Sequence, residues 1–267
     1  MTLIGRDTTA HRIRVPDSDE VVELSWGVAT DVGRRRLVNE DSAVAVAPVF
    51  IVADGMGGHS AGDLASAAVV TRMAAAGETH RGSWGDPEAL FDALEVAAND
   101  IDHLAEDSPR GAGTTVTGAV LALDDDGPVF EVFNIGDSRV YRFWHNELRQ
   151  VTVDHSVVQE LVDAGLLDAE GAEQHPESNV ITRAVGFREV PRPDRWTLAL
   201  HTGMRLLVCS DGLTKEIGAE RIRLHLAAGL APASTAAALV DAALAAGGRD
   251  NVTVIVVDVV SAPSRDD

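Results

Sequence analysis

Phe50–His59 reads FIVADGMGGH: a short apolar run, then the carboxylate Asp54, then three glycines within the next four positions. An apolar run bounded by glycine is the pattern of a buried strand, and here it delivers Asp54 into a glycine-rich turn. The pattern recurs at Arg205–Leu213, RLLVCSDGL, where Leu206–Cys209 leads to Asp211 and Gly212. It returns near the end, where Asp250 and Asn251 follow GGR and open the run VTVIVVDVV. Turns favour Asp and Gly for local steric and hydrogen-bonding reasons, so one such pair carries little. Three carboxylates at strand ends, with no basic residue beside Asp54 or Asp211, point to a site. Rigid strand ends hold oxygen donors in a fixed array, and such donors suit Mg2+ or Mn2+.

Around these runs the chain reads as strands, then helices, then strands. Leu24–Thr30, Ala43–Val46 and Val49–Ala53 are strand-like, with the basic, polar segment Asp31–Asp41 after the first of them. Helices are expected over Ala61–Ala76 and Pro87–Glu106, the second opening on a proline and carrying an apolar stripe at Leu90, Leu94, Ala97, Ala98 and Ile101. Strands follow at Thr114–Leu123, Val129–Ile135, Arg139–Trp144 and Leu148–Val151. DDDG at Asp124–Gly127 and His145–Asn146 are turn-like, so these neighbours should form antiparallel hairpins. His155–Val185 is a helical and irregular excursion, with helices expected at Ser156–Ala164 and near Ala169–Gln174; it is the natural lid. Strands at Arg195–Leu200 and Arg205–Cys209, helices at Ala219–Ala228 and Pro232–Ala246, and a closing strand Val252–Val260 complete the chain. This order specifies antiparallel sheets with helices covering their outer faces.

At 267 residues and 45% hydrophobic the chain can bury a sizeable core, and no Pro/Ser-rich linker divides it. We expect one domain over residues 21–260, a polar and loosely ordered segment over 1–20, and a short tail over 261–267. Lys plus Arg total 22 against 42 Asp plus Glu, a formal charge of -20 that would repel a phosphate backbone and excludes a general nucleic-acid binder. The single cysteine, Cys209, lies in an apolar run, which excludes a disulfide framework and suggests a reducing compartment. No run of about 18 apolar residues occurs, and MTLIGRDTTAHRIRV lacks a signal-peptide core. The expectation is a soluble cytoplasmic protein that engages no membrane.

Two divalent cations about 3.5–4 Å apart can share a bridging water, lower its pKa and present hydroxide in line with a phosphoryl group. Asp54 is the first choice for the carboxylate that bridges them, because the Gly55 carbonyl can also turn toward an ion. Asp211 and Asp250 would then hold the other side. A phosphate substrate needs a cation, and arginine's planar fork can bond two of its oxygens. Arg34, Arg35 and Arg36 lie just ahead of Asn39, Glu40 and Asp41, a combination that fits phosphoryl transfer to water.

RRRLVNEDS at Arg34–Ser42, VADGMGGH at Val52–His59, GAGTT at Gly111–Thr115, IGDSR at Ile135–Arg139, SDGL at Ser210–Leu213 and DNVTV at Asp250–Val254 resemble the ordered motifs of the bacterial PPM, or type 2C, metal-dependent serine/threonine protein phosphatases. The likeness runs from about Leu24 to Val260. It implies an α+β fold, a four-layer α-β-β-α sandwich of two central antiparallel sheets flanked by helices, with a binuclear Mn2+ or Mg2+ centre at one end. It implies Asp54 as bridging ligand, Gly55 as carbonyl ligand, Asp211 and Asp250 as the remaining carboxylates, Glu40 and Asp41 beside metal-bound water, and Arg36 on phosphate. Asp137, with Asp211, falls on a weaker third metal site, and Asn179 lies near where a flap residue approaches it. The flap corresponds to residues 155–186. Phosphoserine and phosphothreonine proteins are the implied substrates, a Hanks-type serine/threonine kinase the implied opponent, and a monomer the implied state.

Two positions depart from the family pattern. Met56 stands where some relatives carry a histidine as general acid; His59 is nearby, though packing of a turn histidine on the next helix explains it equally well. Lys215 stands where many members carry an aspartate, and it either alters metal affinity or points outward while Glu216 takes up the role. Thr114 and Thr115 are assigned to the sheet core, and Ser138 and Arg139 to structural hydrogen bonds beside Asp137. The leading reading is a protein phosphatase that uses a hydroxide bridging two metals. The alternatives are a non-catalytic, phosphatase-like regulator that binds phosphoproteins, and a small-metabolite phosphatase.

Overall fold

The computed structural model describes residues 1–57, 61–78, 84–104, 111–168, 171–172 and 175–264. One sheet contains β1 (Leu3–Gly5), β4 (Asp41–Val46), β5 (Val49–Gly57), β7 (Val116–Asp124), β8 (Gly127–Ile135) and β12 (Asp194–Ala199) in that order, with β6 (Ala112–Thr114) and β11 (Val185–Gly186) attached beyond β5. The other runs β10 (Glu147–Gln150), β9 (Arg139–Trp144), β13 (Arg205–Cys209), β14 (Val252–Ser261), β3 (Val21–Asp31), β2 (Thr8–Arg14). Helices α1 (Ala61–Glu78) and α2 (Pro87–Leu104) cover the first sheet; α5 (Ala219–Ala227) and α6 (Pro232–Ala246) cover the second, while α3 (Val157–Asp163) and α4 (Asp211–Thr214) are short. The architecture is the expected pair of antiparallel sheets between helical layers.

The layers follow from the two-residue period of a strand, which sends successive side chains to opposite faces. On β5, Phe50 and Val52 enter the core between the sheets, whereas Val49, Ile51 and Ala53 pack under α1 and α2. On β14, Ile255, Val257 and Val259 point between the sheets and Val252, Val254 and Val256 meet α5 and α6. Both faces are covered, so these strands read as continuous apolar runs rather than alternating ones. Phe50 anchors the centre, edge-on to Trp26 at 5.3 Å and to Phe130 at 6.3 Å between ring centroids.

Three expectations are corrected. The first twenty residues are not loose: β1 pairs in parallel with β4, β2 pairs with β3, and Ile13 is buried in the central core. Their polar composition hid this because both strands lie at sheet edges, where half the side chains face solvent. Thr114–Leu123 is not one strand but is divided at Thr115, because β5 pairs with β7 over its first half and with β6 over its second. For the same reason Asp54 does not end its strand, which continues to Gly57. The second flap helix expected near Ala169–Gln174 falls largely outside the described residues, as does His59. Among the described residues no helix is long and apolar enough to cross a membrane.

Candidate active site

At one end of the sandwich the inward face of each central strand changes from apolar to polar. On β5, Phe50 and Val52 are followed by Asp54; on β4, Ala45 and Ala43 are followed by Asp41. On β13, Leu206 and Val208 lead to Ser210, and on β14, Ile255 leads back through Thr253 to Asn251. Asp41 and Asp54 are direct neighbours across β4 and β5. Periodicity thus gathers acids from distant parts of the chain at one end of the sandwich.

Glycine permits the close approach of backbones here. A Cβ on Gly55 would lie 2.0 Å from the Gly62 carbonyl oxygen at the start of α1, and one on Gly212 would lie 1.9 Å from that of Asn251. Both Asp-Gly pairs therefore serve packing. The Asp54 amide donates to Thr115 Oγ1 at 3.1 Å, and its carbonyl accepts from the Thr115 amide and the Thr114 hydroxyl, each at 2.9 Å. Thr114 and Thr115, assigned to the sheet core, are buried and also hold the Asp54 backbone. Thr115 Oγ1 lies 2.8 Å from Ser138 Oγ, and Arg139 grips Asp154 with Nε and Nη2, so both Ser138 and Arg139 are engaged in hydrogen bonds within the protein.

Asp41 is fully buried, and its Oδ2 accepts from Ser210 Oγ at 2.9 Å and Thr253 Oγ1 at 2.7 Å, while Oδ1 has no protein partner. Asp211 is buried too; its Oδ2 accepts from Lys215, and its Oδ1 is likewise unpartnered. Arg36 Nη2 bonds Asp250 Oδ2 at 2.7 Å, and its side chain is half-exposed. Asn251 ties the approaching loop down: Nδ2 donates to the carbonyls of Val32 and Val38 at 2.9 and 3.0 Å, and Oδ1 accepts from the Glu40 amide at 2.8 Å. Glu40, Asp41, Asp54, Asp137, Asp211, Asp250 and Arg36 are thus brought together. Asn179 is exposed in the flap and forms no hydrogen bond to these acids among the described residues.

The flap is held at both ends. His155 Nδ1 accepts from the Gly136 amide at 3.1 Å, and β11 pairs with β6 through Val185 and Thr114. Gly136 has a φ of 109°, and a Cβ there would meet Thr115 Cγ2 at 2.5 Å; this turn sets Asp137.

The acids raise one another's affinity for protons. Burial, then the charges of Asp41, Asp211, Asp137 and Asp250, hold Asp54 well above the carboxylate range. Burial pushes Asp41 up to about 7 against its hydrogen bonds from Thr253 and Ser210, with Asp211 and Asp250 adding to the rise. Burial and then Asp211 push Asp137 to about 7, although Lys215 opposes this. Lys215 loses by burial but gains more from Asp211 and Asp137, so its ammonium is held charged more firmly than usual.

Among the described residues no three acids, histidines or cysteines already form a finished metal cage. The donor chemistry nonetheless fits hard divalent ions: clustered carboxylates, with buried oxygens on Asp41 and Asp211 that nothing in the protein satisfies.

These raised acids bind more protons folded than unfolded between about pH 4 and about 7. Stability of the metal-free protein therefore falls as pH rises through that window. Melting in EDTA is expected on the order of 5 °C lower at pH 8 than at pH 5.5, with Mn2+ narrowing the gap. A metal-free melting temperature that climbs over this interval would contradict the linkage.

Ser210, Thr253 and Asn251 lie within the motifs SDGL and DNVTV, yet the sequence assigns them no role; the structure shows them holding Asp41 and the loop before it. Strand period could have found them, because Asn251 and Thr253 share the inward face of Ile255. Lys215 does not point outward, and Glu216 does not replace it: the Glu216 carboxylate accepts from the Arg249 amide and Nε at 2.8 and 2.9 Å.

A model of the family described as protein phosphatase 2C matches residues 34–246. The protein phosphatase PhpP of Streptococcus pneumoniae is 39% identical over 242 residues, covering 88% of this chain and 97% of that protein. The crystal structure of the Mycobacterium tuberculosis serine/threonine phosphatase PstP is similar with a TM-score of 0.81 at 37% identity, over 90% of this chain and 100% of that one. A structure of the PstP catalytic domain in complex with two manganese ions is similar with a TM-score of 0.80 at 37% identity, over 90% of this chain and 99% of that one.

Proposed function

The chain belongs to the protein phosphatase 2C family of metal-dependent serine/threonine phosphatases, and from this premise we propose that it hydrolyses phosphoserine and phosphothreonine on proteins at the acidic end of the sandwich. The observation that carries this is the convergence of the inward strand faces on acids with unsatisfied buried oxygens, beside the half-exposed Arg36. Asp54, the Gly55 carbonyl, Asp211 and Asp250 would hold two divalent cations, a reading supported by the similar PstP catalytic domain's being in complex with two manganese ions. When bound, such ions supply Lewis acidity toward phosphoryl oxygens and lower the pKa of the attacking water.

The protein's own residues bind and orient. Arg36 is held by Asp250 and would offer its remaining donors to phosphoryl oxygens. Glu40 lies beside it, and without metal burial and neighbouring acids raise the proton affinity of both Glu40 and Asp41. Met56 has no proton to give a leaving group.

Leu37 is almost wholly exposed next to Arg36, an open approach suited to a phosphorylated segment of another protein rather than an enclosed metabolite. An opposing Hanks-type kinase and a reducing, cytoplasmic setting belong to the same reading, supported by the family likeness and by the lone buried thiol of Cys209. Higher kcat/KM on a phosphothreonine peptide than on any of a panel of phosphorylated metabolites is expected; the reverse order favours the metabolite reading. Arg36→Ala should lower kcat/KM on the peptide about a hundredfold. Arg36→Lys should recover only part, because an ammonium lacks the planar fork. Unchanged kcat/KM in the alanine variant would remove Arg36 from phosphate binding.

A further inference from the structure

Lys215 is placed where a cation would otherwise be wanted. It closes the turn begun at Asp211, its amide donating to the Asp211 carbonyl at 2.8 Å, and its side chain folds back along α4 over the same residue. The ammonium bonds Asp211 Oδ2 and lies 3.5 Å from Asp137 Oδ2. These carboxylates come from separate elements, the β8–β9 turn and the start of α4, and both are buried. Two buried acids converging on one point repel each other unless a positive charge lies between them. Glu216 contributes nothing there, being paired with Arg249. Asp211 meanwhile keeps Oδ1 unpartnered, so one carboxylate can serve the ammonium and a divalent ion from opposite oxygens.

We propose that Lys215 is a tethered cation that occupies the place between Asp137 and Asp211, so that this protein binds two divalent ions and excludes a third. The proposal rests on the two-metal reading above and replaces the expectation of a weak third ion on Asp137. A side-chain ammonium needs no free metal to be present. It also holds Asp211 in one orientation, making Lys215 a positioning residue that also limits metal content.

Mn2+ bound per folded chain, counted by equilibrium dialysis with elemental analysis up to millimolar Mn2+, tests this directly. Wild type should saturate at two ions. Lys215→Asp, which swaps the ammonium for a carboxylate, and Lys215→Met, which keeps the aliphatic stem without charge, should each take up a third, more tightly in Lys215→Asp. Three ions in wild type, or an unchanged count in both variants, would overturn the proposal. Turnover measured on the same samples addresses the phosphatase assignment separately, since an ion count stands whether or not the protein hydrolyses phosphopeptide.

Discussion

Asp54→Asn is expected to lower kcat about a thousandfold or more while leaving the metal-free protein folded and no less stable. The first effect follows from the chemistry assigned to the site. An amide lacks the charge to hold two divalent ions, and several kcal/mol of Lewis-acid stabilisation at about 1.4 kcal/mol per tenfold in rate is lost with them. The second follows from the surroundings of Asp54, whose backbone is held by Thr114 and Thr115. Its side chain is partly buried among Asp41, Asp211, Asp137 and Asp250, which all oppose its charge. An amide adds no negative charge to that cluster at any pH and leaves the strand pairing intact. Steady-state kinetics and thermal melts of the EDTA-treated variant check both halves. Near-normal turnover would remove Asp54 from the metal centre, whereas an unfolded variant would show that the acid is structural.

Asn251→Ala is expected to have the largest effect on architecture. One side chain satisfies the Val32 and Val38 carbonyls and the Glu40 amide, closing the loop that carries Arg36 over the acids. Leaving a buried polar group unsatisfied costs about 1–3 kcal/mol. Water can reach part of this loop, so a total of about 3 kcal/mol is reasonable, or roughly 6–12 °C in melting temperature. Kinetics should suffer as well, because displacement of a positioning residue by about 1 Å can cost on the order of a hundredfold in rate. Urea denaturation and kcat/KM, measured together, check it. A variant with parental stability and activity would show that the loop is held by other contacts.

The layers of the sandwich were legible because burial on both faces makes continuous apolar runs, and Val49–Ala53 and Val252–Val260 could hardly be anything else. Asp54, Asp211 and Asp250 stood out because each interrupts or opens such a run with a charge. What stayed hidden depended on pairing rather than on residue type. Nothing in GAGTT says that the strand breaks at Thr115; that follows from β5 changing partner midway. Leu3–Gly5 is too short and Thr8–Arg14 too polar to announce itself, yet each adds an edge strand. The two outcomes for Lys215 were undecidable from spacing alone, since an i+4 residue on a short helix can turn toward Asp211 or away. Its direction is set by Asp137, which arrives from a turn far away in sequence.

Whether this acidic end of the sandwich is a divalent-metal phosphatase site is decided by release of phosphate from a phosphothreonine peptide by the purified protein, measured with Mn2+ and with EDTA. Turnover that requires Mn2+ and vanishes in EDTA is the predicted result. No turnover from folded, Mn2+-loaded protein, or turnover that EDTA leaves untouched, would contradict it.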